Sequence, residues 1–396
     1  MSADKQGGAL KPVTPSRVAE ELRKLSSQRK DGLLDADEYE HRFARMIGEL
    51  RDRRIDGSRA EILLHLHPSR TKAWCPPPTG SGSPSSLASP DAAFPRMIPR
   101  RSLGADTVKV SAVGYGGMHL SIQDRPSEAQ GVRVIHAALD AGVTLIDTAD
   151  VYCLDDNDLG HNERLIARAL DSWPGDKDDV LVATKGGVTR PSGRWDTDGR
   201  PEHLRAACER SLKALGVERI DLYQLHAPDP RVPLSDSVGA LADLQQQGKV
   251  RWVGLSNVSV SQIQEAESVA AVSSVQNRLN PFFREALAEG VVEYCAGRRI
   301  GFLAYSPTGG GRLNRKLPAH PVLQPMAARL GVTPHALVLA WVLARSPAVI
   351  VIPSARTVEH ALDSTGAAEL TLSEADLSAI TTAEFLTTTV STSPPS

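Results

Sequence analysis

Cysteine is scarce in this sequence, with four in 396 residues: Cys75, Cys153, Cys208 and Cys295. They are widely separated and form no CxxC pair, which argues against a zinc knuckle or a disulfide framework and points to a reducing compartment. Aromatic residues are few, at 4%, and neither sign of charge dominates, the formal net charge being −2. Such a chain has no long-range attraction for nucleic acid or an anionic membrane as its main partner. No stretch approaches the roughly 18 apolar residues of a membrane span, and "MSADKQGGALKPV" has no apolar signal core, so the expected location is the cytoplasm. What is present is 41% hydrophobic residues, enough for a large core. The length fits one large domain with an appendage, and a small molecule is the default partner.

The appendage comes first. Residues 15–51 carry apolar side chains at helical spacing in two blocks broken at Gly32: Val18, Leu22 and Leu25 share one face, and Tyr39, Phe43 and Met46 another. A small helical hairpin is expected, and "LRKLSSQRKDGLLDADEYEHRFARMIG" resembles a SHOCT-type module. Two helices this small bury too little surface to stand alone, so self-association or a protein partner is expected through this segment. Residues 71–96 turn to Pro, Gly, Ser and Ala, the composition of a disordered linker. A disordered tail is expected over 387–396.

Between them, over residues 97–386, strand-like runs alternate with amphipathic helical stretches. The runs are "SAVGYGG", "VTLIDTA", "DVLVATKGG", "IDLYQLHAP", "VRWVGLSN", "VSSVQNRLNP", "IGFLAYSP" and "AVIVIPSA". Eight strand-then-helix units predict an α/β fold with parallel strands, and unit count and length favour a (β/α)8 TIM barrel over an open sheet. In such a barrel the C-terminal strand ends carry function. The last residues of the runs are Gly116 and Gly117, Asp147, Lys185, His226, Ser256 with Asn257, Gln276, Tyr305 with Ser306, and Ser354 with Arg356.

Singly, each has a structural explanation: Asp147 as a turn cap, Lys185 as its ion-pair partner, His226 as a satisfied histidine. Their convergence on one rim, with Tyr152 a short turn past Asp147, favours chemistry instead. A tyrosine ordinarily ionises near pH 10, and an adjacent ammonium favours the phenolate, so Lys185 is expected to lower the Tyr152 pKa. Asp147 would hold Lys185 charged and in place, and His226 would donate to a substrate oxygen. Such a rim protonates an oxyanion developing on a carbonyl.

In order along the chain, "LIDTADVY" (Asp147, Tyr152), "VATKGG" (Lys185), "IDLYQLHAPDP" (His226), "GLSN" (Ser256, Asn257), "VQNRLNP" (Gln276), "LAYSP" (Tyr305) and "VIPSAR" (Arg356) resemble the aldo-keto reductase family. The resemblance implies a barrel that binds NADP(H) across its strand ends and reduces an aldehyde or ketone. Tyr152 would be the general acid, Lys185 and Asp147 would tune it, and His226 would orient the substrate. Ser256, Asn257 and Gln276 would hold the nicotinamide carboxamide, and Tyr305 would stack on the ring. The backbone at Ser306, Thr308 and Gly310 would follow the pyrophosphate. Gly116, Gly117, Met118 and Asp147 complete the expected cofactor-binding set at the first two strand ends.

Arg356 suits a 2′-phosphate, helped by helix-start N–H groups after Ser354, so NADPH is preferred to NADH. Many relatives carry a Gln and then a Glu-Asn pair where this chain has His360, Asp363 and Ser364. His360 joins the cofactor set, and Asp363 is expected near the adenine ribose, where it admits NADH. The acidic loop "CLDDNDLGH" mimics a calcium loop, but Leu159 falls at a ligand position and Ile166 where a bidentate Glu is needed, so no metal is expected. The loop is expected to shape the substrate entrance together with Trp195, and Cys153 to be a small filler. A Rossmann dehydrogenase is disfavoured, since "GYGGMHL" lacks the third glycine and the ribose-binding acid. A second reading is a slow, redox-sensing NADP(H)-binding regulatory subunit tethered through its N-terminal helices.

Overall fold

A computed structural model describes residues 98–104 and 108–387, together with Lys24. Lys24 and Thr387 apart, the hairpin expected over 15–51, the linker over 71–96 and the tail over 387–396 lie outside the described residues.

The strands, in chain order, are β1 (Arg100–Ser102), β2 (Lys109–Ser111), β3 (Tyr115–Gly116), β4 (Leu145–Asp147), β5 (Leu181–Gly186), β6 (Val188–Thr189), β7 (Asp196–Thr197), β8 (Ile220–Leu225), β9 (Val250–Ser256), β10 (Val272–Arg278), β11 (Gly301–Tyr305) and β12 (Val349–Val351). Eight of them, β3, β4, β5 and β8 to β12, pair in parallel in sequence order. The first and last meet through a parallel Val113–Val351 bridge and through Gly114 N–H to Val351 O at 2.8 Å and Gly116 N–H to Pro353 O at 2.9 Å. The sheet therefore closes on itself as a (β/α)8 barrel.

The helices are α1 (Glu128–Asp140), α2 (His161–Ser172), α3 (Pro201–Leu215), α4 (Leu234–Gln246), α5 (Val260–Glu267), α6 (Glu285–Ala288), α7 (Val291–Arg298), α8 (Gly310–Leu313), α9 (Leu323–Leu330), α10 (Pro334–Leu343), α11 (Val358–Gly366) and α12 (Glu374–Thr382). Local chemistry sets several starts. Ser127 caps α1 by accepting from Gln130 N–H, and Ser259 and Gln262 form a reciprocal capping box at α5. Along α1, Val134, Ile135, Ala138 and Leu139 are buried in one stripe against the strands.

Strand alternation divides the apolar side chains between two cores. Leu145, Leu181, Ala183, Leu222, Trp252, Leu303 and Ile350 fill the barrel interior, while Ile146, Tyr223, Val253, Val275 and Phe302 face the helix layer. Two short antiparallel pairs were not apparent in the sequence pattern. Leu103, just past β1, and Val110 of β2 join the interior core beside Leu181 and Trp252, so the β1–β2 pair plugs the N-terminal end of the barrel. The β6–β7 hairpin lies past the opposite end, after Gly186. With one end plugged by apolar residues, polar chemistry is confined to the other.

The closing seam leaves no room for a side chain at Gly116, where a Cβ would lie 2.8 Å from Ile352 O and 3.0 Å from Ser354 Oγ. Gly116→Ala is expected to cost about 1–3 kcal/mol by overpacking this seam. Gly239, inside α4 with no atom within 4 Å of its would-be Cβ, is the control. There Ala is expected to add about 0.5–1 kcal/mol, and the shifts of urea midpoint in the full chain measure both.

Candidate active site

The inner-face residues change character toward the C-terminal strand ends. On β4 the sequence runs from Leu145 to Asp147, on β5 from Ala183 to Lys185, and on β8 from Leu222 to Gln224, each step of two keeping the side chain inside. Lys185 is fully buried, and its ammonium donates to Asp147 Oδ2 at 2.7 Å, to Thr148 O at 2.8 Å and to Tyr152 Oη at 2.9 Å. The other carboxylate oxygen of Asp147 accepts from Gln276 Nε2 at 2.7 Å and from Gln224 Nε2 at 3.4 Å.

Tyr152 reaches Lys185 because the segment after β4 is tied down. Thr148 N–H donates to Ala183 O at 2.8 Å, and Thr148 Oγ1 donates to Asn162 Oδ1 at 2.7 Å. Asn162, buried in the first turn of α2, also donates to Gly117 O at 2.9 Å and to Ser121 Oγ at 2.8 Å, so one amide joins the loops after β3 and β4. On the outer face, Thr184 donates to Glu163 Oε1 at 2.5 Å, which fixes the residue preceding Lys185.

A cavity of about 1370 Å³ opens over these strand ends. Every residue expected on the rim lines it except Gly117 and Lys185. Gly117 lies beneath the lining, held by Asn162 and by its own N–H to Asp147 O at 2.8 Å. Lys185 is covered by the groups it binds. At one end stand Tyr152, His226 and Trp195, the Tyr152 and His226 rings meeting edge to face at 5.8 Å and Trp195 lying 6.5 Å from His226. Tyr305 donates to Asn257 Oδ1 at 2.8 Å, Asn257 Nδ2 donates to His226 O at 3.0 Å, and Ser256 Oγ donates to Gln276 O at 2.8 Å. The far end carries Arg356, His360, Arg315 and His119, and Asp124 and Asp147 are the acids in the lining.

Burial dominates the electrostatics. The Tyr152 pKa is raised above its ordinary value, because desolvation outweighs the opposing pull of Lys185, while Asp147 adds to the rise. The direction is the reverse of the sequence expectation, which weighed the lysine without the burial. Burial pulls the Lys185 pKa down, but Asp147 and Tyr152 together outweigh it and raise the net value, so the ammonium is charged at neutral pH. His226 is pushed well below 6.5, first by burial and then by the Lys185 charge, and its Nδ1 is buried without a hydrogen-bond partner among the described residues. The imidazole is therefore neutral near pH 7.

The helix start expected after Ser354 is present: α11 begins four residues on, capped by Thr357, whose Oγ1 accepts from His360 N–H at 3.3 Å. Other sequence expectations are corrected. Asp363 accepts from Thr333 at 2.7 Å and is not in the cavity lining, which removes the reason given for admitting NADH. The acidic loop does not line the cavity either; Asp158 pairs with Arg125, and Asp155 caps Asn157 N–H at 2.9 Å. Cys153 is fully buried, its thiol pushed up to about 12 by burial, which suits a packing role. Gln224 and Asn162 had not been singled out. Gln224 sits two residues before His226 on an apolar strand, a spacing that carried the signal.

Residues 112–384 match the aldo/keto reductase family. A probable aldo-keto reductase of Glycine max is 34% identical over 304 residues, spanning 69% of this chain and 86% of that protein. Among solved structures, a glycerol dehydrogenase from Gluconobacter oxydans superposes with a TM-score of 0.61 at 29% identity, covering 71% of this chain and 93% of that one. An aldo/keto reductase from Klebsiella pneumoniae, solved with NADP and acetate, gives 0.60 at 26% identity, covering 71% and 93%. The chain belongs to the aldo/keto reductase family and is an oxidoreductase.

The neutral, buried His226 predicts a pH effect on stability. A base whose folded pKa is depressed binds fewer protons folded than unfolded, so stability falls as pH drops below the unfolded value of about 6.5. The melting temperature of wild type is expected to drop more between pH 7 and pH 5 than that of His226→Gln, which does not titrate there. Parallel curves for the two proteins would contradict the assignment.

Proposed function

We propose that this protein is an NADP(H)-dependent reductase of aldehydes or ketones, with Tyr152 as proton donor. The observation that carries the reading is the Lys185 ammonium, which binds Asp147 and Tyr152 together at the floor of an open cavity. The NADP-bound Klebsiella relative supports a nicotinamide cofactor. The cavity fits one. Its volume exceeds the roughly 300–1,000 Å³ of ordinary small-ligand sites, and its far end gathers arginine and histidine side chains suited to an anionic dinucleotide. Gly310, at φ 71, is backbone without a side chain where a phosphate would approach.

Arg356 would hold the 2′-phosphate, since its guanidinium is exposed and the hydrogen bond from Nη1 to Asp124 O at 3.1 Å leaves donors free. Asn257 and Gln276 would hold the carboxamide, and Tyr305 would lie along the ring. A bound reduced nicotinamide supplies the hydride. The carbonyl oxygen is received between Tyr152 Oη and His226. Because burial keeps the phenol protonated, Tyr152 has a proton to give to the oxygen as negative charge develops there. The phenolate left behind sits 2.9 Å from the Lys185 ammonium, which Asp147 holds in place until solvent returns the proton.

Tyr152→Phe is expected to lower kcat for carbonyl reduction by about 10²–10⁴-fold, the range for loss of a general acid. NADPH binding, followed by nicotinamide fluorescence, should persist; reduction at the original rate would sink the role of Tyr152. Arg356→Met is expected to weaken NADPH by about 10–100-fold while changing NADH little, measured by titration of each cofactor.

A further inference from the structure

The turn between β6 and β7 brings a cation behind the substrate end of the cavity. Arg190, which follows β6, is buried, with only 7% of its surface exposed. Its Nη2 donates to Leu154 O at 2.9 Å, while Nε and Nη1 are buried and have no hydrogen-bond partner among the described residues. No carboxylate lies within ion-pair distance of Arg190 among the described residues; Asp158 pairs with Arg125, and Asp196 lies 3.7 Å from Arg231. A guanidinium cannot shed its proton at any ordinary pH. Burying it with idle donors and no ion-pair partner among the described residues is therefore unfavourable, and an anion placed there would relieve the cost.

Arg190 is not in the cavity lining, but it stacks on a ring that is. Its guanidinium carbon lies 4.0 Å from the centroid of Trp195, and Trp195 is 51% exposed and lines the cavity beside His226. From the reacting phenol outward the order is Tyr152, His226, Trp195, Arg190. The ring is lightly held: β6 and β7 are two residues each, and the turn between them contains Ser192 at φ 51, a left-handed conformation that a serine rarely adopts. A modest shift of Trp195 would uncover the idle donors toward the cavity.

We propose that Arg190, screened by Trp195, receives an anionic group at the far end of the carbonyl substrate, so that the preferred substrates are oxo acids rather than neutral aldehydes. The inference rests on the carbonyl-reductase reading of the same cavity and adds the substrate class to it. The carboxylate takes charge-assisted hydrogen bonds from the guanidinium, while the carbonyl at the other end meets Tyr152 and His226. Trp195 then covers the pair and excludes water from it.

The test compares each acid with its own uncharged ester, using the full chain and NADPH oxidation as readout. The pairs are 4-oxobutanoate with methyl 4-oxobutanoate, and 4-formylbenzoate with its methyl ester. In wild type, kcat/KM for at least one acid is expected to exceed that of its ester by about tenfold or more, chiefly through a lower KM. That ratio should fall to near one in Arg190→Met and recover in part in Arg190→Lys. A ratio within one protein is independent of how much of the variant folds, and the wild-type ratio stands even if a variant does not fold. Esters and acids reduced equally by wild type, or a preference that survives Arg190→Met, would overturn the inference and leave the reductase reading intact. Failure to reduce any carbonyl compound would overturn both.

Discussion

A lysine ammonium with no exposure to water, all three of whose hydrogens are used, is the constraint around which this site is organised. Lys185 donates to Asp147, Thr148 and Tyr152 and, among the described residues, to nothing else. A cation taken out of water costs several kcal/mol unless it is paired and its donors are satisfied. That requirement fixes the end of β4, the backbone that follows it, and the tyrosine one turn later. Removing any of the three acceptors would leave a buried charge short of a partner.

The rest of the barrel serves this arrangement. Parallel pairing of β4 with β5 sets Asp147 beside Ala183 and so brings the carboxylate within reach of the next inner-face residue, Lys185. The two glutamines Gln224 and Gln276 satisfy the second carboxylate oxygen, and Asn162 binds the loops that would otherwise let Tyr152 drift. At the opposite end, Leu103 and Val110 close the cylinder with apolar side chains. The site is thus dry from below and open above, which is what allows burial to outweigh the lysine in setting the phenol. A protonated tyrosine held next to a fixed cation is a proton donor whose conjugate base is already provided for.

Much of this was readable from residue order, because a strand states its inner face every second residue and a barrel puts function at one end of every strand. The eight runs from "SAVGYGG" to "AVIVIPSA" each supply one strand of the parallel sheet. The elements that escaped, β1 with β2 and β6 with β7, are short antiparallel pairs that lie outside the strand-then-helix alternation. Side-chain partners escaped for a different reason. That Asp363 bonds Thr333, or that Asn162 joins two loops, depends on packing between helices that no local pattern encodes. The direction of the Tyr152 shift belongs with these, since desolvation comes from the folded surroundings and the lysine alone argued the other way.

The central claim is that tertiary burial, opposed but not overcome by Lys185, keeps the Tyr152 phenol protonated through neutral pH and beyond. It is tested most directly by NMR of the full chain carrying ¹³Cζ-labelled tyrosine, with the Tyr152 resonance assigned by its loss in Tyr152→Phe. The account predicts a signal that stays at the neutral-phenol position up to the ordinary tyrosine value of about 10. A signal that titrates with a midpoint clearly below that value would contradict it.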